Sequence, residues 1–156
     1  MKSYINKNPT LNDMAVKRAL LGGLFAGIVA FLFYLLTNYY LFNWIFLIVP
    51  ADIWKTVAGI GYVWLFLIML LTGEIFSFIY AILEANMPGI RLSKGFMFGL
   101  MVWLVASLPM ALTQLLTTKF ALFVILYQAL SSLVLYILMG IVIAETFTVS
   151  AEERHP

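Results

Sequence analysis

Four stretches of this chain carry no charged side chain over a length that a bilayer demands, and that constrains the fold more than any motif. Ala19 to Ala51, Thr56 to Leu83 with one exception, Gly95 to Thr118 and Phe120 to Ala144 are free of Asp, Glu, Lys and Arg. A membrane-crossing helix needs about 20 predominantly apolar residues. Composition leaves no soluble alternative: 64% of the residues are hydrophobic and 10% charged, against roughly 45–50% and 25% in soluble domains. The expectation is an all-α polytopic membrane protein, four transmembrane helices in an antiparallel bundle. The spans are read at 19–41, 60–83, 95–118 and 120–144, between a basic leader over 1–18 and a tail over 146–156.

The exception is Glu74, alone in the second run. A charged side chain at the bilayer centre costs at least ~2.5–3.5 kcal/mol on insertion scales, which makes an intramembrane carboxylate a candidate functional residue.

The leader holds Lys2, Lys7, Lys17 and Arg18 against one acid, Asp13. Thr10 and Asp13 stand at capping-box spacing after Pro9, so a helix is expected to start near Leu11. A cleaved signal peptide would have an apolar region of only about 7–15 residues ending at small residues, and the uncharged run here is far longer. We read a retained span, closed by Thr37, Asn38, Tyr39 and Tyr40 as an aromatic and polar rim. Phe42 to Gly59 is broken by Pro50, with Asp52 and Lys55 flanking Trp54. It reads as a short helix at the membrane surface, with a re-entrant loop as the alternative. Met87-Pro88-Gly89 is a turn signal, and Pro109 falls inside the third span as a kink. The loop at Lys119 is so short that spans three and four must form a hairpin. With both termini cytoplasmic, seven of the 9 Lys and Arg lie inside and two, Lys55 and Lys119, outside. The positive-inside rule therefore favours that orientation.

Small or polar residues recur at every fourth position: Ala19, Gly23 and Gly27; Gly73, Ser77 and Ala81; Gly95, Gly99, Trp103, Ser107 and Ala111; Gln128, Ser132, Tyr136, Gly140 and Ala144. Such rows let helix backbones approach where no hydrophobic effect drives association. Glu74 adjoins the second row and is expected to look into an interface. Counting along the spans at ~1.5 Å per residue puts it level with Gly27, Trp103 and Tyr136, which makes Trp103 and Tyr136 the candidate hydrogen-bond donors. An unpaired carboxyl group in low dielectric is expected to stay neutral. Glu74 is then either a hydrogen-bonded clamp between helices, the favoured role, or a proton- or cation-handling site. A second polar set joins Thr113 and Gln114 to Gln128, Ser131 and Ser132, where Gln114 and Gln128 can face one another as interhelical glue.

Nothing points to catalysis. The single histidine, His155, is in the tail, so the spans offer no imidazole for haem, copper or di-iron. With no Cys, disulfides and thiolate metal sites are excluded. No cofactor is expected, and a net charge of +2 gives no case for nucleic acid. The 13 Phe, 8 Tyr and 4 Trp suit interfacial belts and helix packing.

Gly73-Glu74-Ile75-Phe76, Phe78-Ile79-Tyr80-Ala81, Met87-Pro88-Gly89 and Lys94-Gly95-Phe96-Met97-Phe98-Gly99-Leu100-Met101-Val102-Trp103 together resemble small prokaryotic four-helix integral membrane proteins of uncharacterised families. The resemblance covers spans two and three. It implies the four-span topology, in a prokaryotic inner or plasma membrane, and no activity. Two functions follow as expectations. The first is a non-catalytic membrane subunit or scaffold packing against partner proteins, such as those of an energy-transducing complex. The second is a small homo-oligomeric transporter or channel that uses Glu74.

Overall fold

The computed structural model describes residues 9–41, 59–119 and 121–152. The surface segment expected around Pro50 to Ala58 lies outside them. Helix α1, Pro9–Leu35, continues into a π-helical segment, Leu36–Leu41. Helix α2, Ile60–Leu83, ends in a 3-10 turn, Glu84–Asn86. Helix α3, Arg91–Val102, passes through a second π segment, Trp103–Ser107, into α4, Leu108–Thr117, and α5 covers Leu122–Glu152. Among the described residues there is no strand. Four helical rods, Val16–Leu41, Ile60–Asn86, Arg91–Thr117 and Leu122–Phe147, are each 26 or 27 residues long and apolar enough to cross a membrane. At ~1.5 Å per residue each is about 40 Å long, more than the ~30 Å hydrocarbon core.

The breaks have local causes. Before Pro88 the chain is extended at Met87 (φ −83°, ψ 129°), as the proline ring requires of its neighbour. Gly89 then takes a φ of 101°, a conformation that favours glycine. Lys94 Nζ donates to the Glu84 carbonyl at 2.9 Å, satisfying the end of α2. Arg91 pairs with Glu145 at 3.2 Å. Both contacts lie within helical backbone: α3 begins at Arg91 rather than Gly95, and α5 runs seven residues beyond Glu145.

The second π segment answers to Pro109. A proline inside a helix has no N–H to give, and its ring clashes with the carbonyl four residues back, here Val105. Widening the turn moves that carbonyl aside, and the Leu108 N–H bonds to the Trp103 carbonyl instead. The expected kink is thus absorbed as a π turn. In the first π segment the side chains compete with the backbone: Thr37 Oγ1 donates to the Phe33 carbonyl at 2.8 Å and Asn38 Nδ2 to that of Tyr34 at 2.9 Å.

Glycine sets how the rods meet. A methyl group on Gly23 would come within 2.6 Å of Glu74 Cα, and one on Gly27 within 2.6 Å of Leu70 Cα. Gly73 in turn is seated against the Gly23 carbonyl and the Gly27 amide. The α3–α5 contact repeats this: Gly95 lies on Ile141, Gly99 on Ile137, and Gly140 against the Gly95 carbonyl and the Gly99 amide. Toward the Arg91 end, Tyr80 is buried edge-on against Phe98 and Phe147, each with ring centroids 5.3 Å away. Ala19, Ala26, Met139 and Ile143 complete that core. The outward faces are apolar and bare, with Val105 80% and Leu116 88% exposed.

Candidate functional site around Glu74

Glu74 follows Gly73 on α2 and therefore shares the face that meets α1. Because Gly23 has no side chain, the carboxyl group folds over its backbone: a methyl group there would lie 2.5 Å from Glu74 Oε2 and 2.7 Å from Cδ. Oε2 is buried and has no hydrogen-bond partner among the described residues. One turn on, Ser77 is fully buried, and its Oγ has no partner among them either. Gly22 makes the room for that hydroxyl. A methyl group on Gly22 would stand 2.9 Å from Ser77 Oγ and 2.7 Å from Thr146 Oγ1. Thr146 donates to the Ile143 carbonyl at 2.7 Å. Three oxygen-bearing side chains from α2 and α5 thus gather over the Gly22-Gly23 notch of α1.

Trp103 and Tyr136, the donors expected for Glu74, are engaged elsewhere. Trp103 Nε1 donates to the Ala129 carbonyl at 2.8 Å. Tyr136 packs against Phe76, with ring centroids 5.2 Å apart. The reason is angular. At 100° per residue, Phe76 points about 200° around the helix from Glu74, so the α2 face that meets Tyr136 is not the carboxylate's face. Glu74 also lies one turn nearer Arg18 than the level count placed it, on Gly23 rather than Gly27.

The packing residues predicted from spacing, Gly23, Gly27, Gly73, Ser77, Gly95, Gly99 and Gly140, are all buried at helix contacts. Gly22 and Thr146 were not among them. The adjacent pair Gly22-Gly23 carried a signal, since two bare positions in a row can receive two neighbouring helices. Thr146 sits in the part of α5 that reads as tail.

The second polar set divides. Thr113 Oγ1 turns back to the Pro109 carbonyl at 2.9 Å. Gln114 and Gln128 do face a common space, a hollow of about 170 Å³ also lined by Ser107 and Ser132. Across the α5 ridge a second hollow of about 250 Å³ is lined by Thr37, Asn38, Gln128 and Ser132.

Chemically, the Glu74 cluster can hold a proton, or contribute oxygen atoms to a small cation. Among the described residues no group of three or more His, Cys, Asp or Glu side chains converges to hold a metal ion. No family model matches the chain, and no curated protein or solved structure matches it.

Proposed function

We propose that this chain is an integral membrane protein whose four rods cross the bilayer as an antiparallel bundle with both termini cytoplasmic, and that it serves as a non-catalytic subunit or scaffold. Its partners are other membrane proteins or further copies of itself. One observation carries this reading: both helix pairs are closed by backbone lying directly on glycine backbone. Those interfaces have no room for a methyl group, so they leave none for a conduit between the paired helices, and the broad apolar exterior is the surface left for partners. Small-residue packing of this kind is how helices associate inside lipid. The orientation rests on Lys17, Arg18, Arg91 and Lys94 gathering at one set of helix ends, with Lys119 at the other.

Purification in mild detergent tests the assignment. Larger subunits copurifying at fixed ratio are the expected result; a homo-oligomer with pH-dependent ion flux overturns it. Orientation is checked separately in intact cells, since the chain has no native Cys. An impermeant thiol reagent is expected to label Thr118→Cys and spare Ser93→Cys.

Glu74 Oε2, which has no hydrogen-bond partner among the described residues, favours a second function, proton or cation handling by an oligomer. A clamp needs something to hold, and neither Trp103 nor Tyr136 supplies it. Glu74→Gln keeps the shape and cannot release a proton. Flux in proteoliposomes that the native chain shows and the folded Gln variant lacks would establish the second function over the first.

A further inference from the structure

We propose that the two hollows on either side of Gln128 and Ser132 form one binding site for an uncharged, hydroxyl-bearing group, the head of a membrane lipid or a free polyol. The site lies at the Lys119 end of the rods, away from Glu74, and rests on the membrane reading above. Its first ground is polar groups left open. Gln114 and Gln128 both line the smaller hollow, and neither side-chain amide makes a hydrogen bond to protein among the described residues. Glue between helices would have paired them. An amide held near hydrocarbon without a partner is costly, and a ligand relieves that cost.

The second ground is backbone geometry. Both π segments border this region: Leu36–Leu41 brings Thr37 and Asn38 to the larger hollow, and Trp103–Ser107 brings Ser107 to the smaller. Wide turns of this kind gather at functional sites. Pro109 accounts for the second, and in the first the very side chains that compete with the backbone, Thr37 and Asn38, are those that line the hollow. The floor is fixed as well, because the Ala129 carbonyl accepts from both Trp103 Nε1 at 2.8 Å and Ser132 Oγ at 2.9 Å.

The lining selects the ligand. Among the described residues no charged side chain borders either hollow, so a phosphate or ammonium group would find no counter-charge among them. Amides and hydroxyls both donate and accept, which matches a polyol, while Met69, Leu135, Met110 and Ala111 offer apolar wall to its carbon skeleton. The smaller hollow has room for about five or six waters at ~30 Å³ each, the size of a hexose ring. Met110 is 63% exposed, so this hollow reaches the exterior where lipid chains would run.

The test uses the full chain in nanodiscs of phosphatidylcholine doped with either monohexosyl diacylglycerol or phosphatidylglycerol, followed by native mass spectrometry of the released protein. Retention of the chain in the disc is read first. A chain that leaves the disc overturns membrane insertion; a chain that stays but holds both lipids equally overturns this site alone. The expected result is preferential retention of the hexosyl lipid, lowered roughly tenfold by Gln128→Leu with Ser132→Ala and unchanged by Thr113→Val. Should the double variant not fold, Gln114→Leu on α4 gives the same readout, and a folded variant that retains the hexosyl lipid in full refutes the site. Excess free glucose distinguishes the sources: displacement assigns the site to a soluble polyol, and persistence of the lipid assigns it to the membrane.

Discussion

The α1–α2 and α3–α5 pairs solve one packing problem twice, with one difference. In each, two glycines four residues apart on the first helix receive a single glycine from the second: Gly23 and Gly27 take Gly73, and Gly95 and Gly99 take Gly140. The residues around them correspond. Gly27 lies against Leu70 Cα as Gly99 lies against Ile137 Cα, and a methyl group on Gly23 would come within 2.6 Å of Glu74 Cα as one on Gly95 would come within 2.7 Å of Ile141 Cα. Glu74 therefore occupies the place that Ile141 fills in the other pair. The contact needs the glycines; it does not need the carboxylate. A helix pair that closes with isoleucine at this position is an internal control for one that closes with glutamate.

The harshest way to break the correspondence is at its centre. Gly73→Leu and Gly140→Leu each drive a side chain into backbone atoms that no rotamer change can move aside. Each is expected to cost at or beyond the top of the ~1–3 kcal/mol range for overpacking, and to do so equally. Unfolding of the two variants in mixed micelles gives the comparison. If one is tolerated and the other is not, the pairs are not equivalent.

Next in size is Ile141→Glu, which writes the first pair's difference into the second. A carboxylate at a helix centre costs ~2.5–3.5 kcal/mol, but near a helix end it can reach toward the rim. Ile141 is one turn from Glu145, so a loss of the order of ~2 kcal/mol is expected, seen as a lower melting temperature in detergent. Smaller again is Trp103→Phe, which removes the donor to the Ala129 carbonyl. Interhelical hydrogen bonds in membrane proteins average ~0.6 kcal/mol, and a loss of that size is expected by the same melt. A loss of several kcal/mol would mean that the indole, not the glycine lock, holds α3 to α5.

The parts of this molecule that were legible in the sequence are those governed by length and by missing side chains. Uncharged runs marked the four rods, and glycines at every fourth position marked where backbones touch, because both follow from local pattern. The azimuth of a side chain relative to a neighbouring helix does not. Counting rise along the axis placed Glu74 beside Trp103 and Tyr136 but could not say that Phe76, far around the helix, would take the Tyr136 side. The rods' limits at Arg91 and Glu152 were hidden for a related reason: Arg91 and Lys94 find their partners, Glu145 and the Glu84 carbonyl, only after folding. Pro109 announced a disturbance, yet whether a helix kinks or widens depends on the surroundings. Gln114 and Gln128 were rightly expected near one another, while the hollow between them is a property of the packed helices.

The smallest expected effect is the most informative. Glu74→Ile gives the first pair the residue that the second already uses at the matching position, and it removes a buried oxygen that has no partner among the described residues. A buried acceptor without a donor costs stability, and replacing it with an apolar group of suitable shape is close to neutral or better. Melting of the Ile variant in detergent should therefore equal or exceed that of the native chain. A variant that instead fails to assemble would mean that Glu74 grips a donor on a partner subunit, and the carboxylate would belong to the scaffold role after all. A variant that assembles normally yet loses ion flux in proteoliposomes would separate the two roles in the opposite sense. The glycines would then hold the fold, and the one departure from the repeated contact would carry the chemistry.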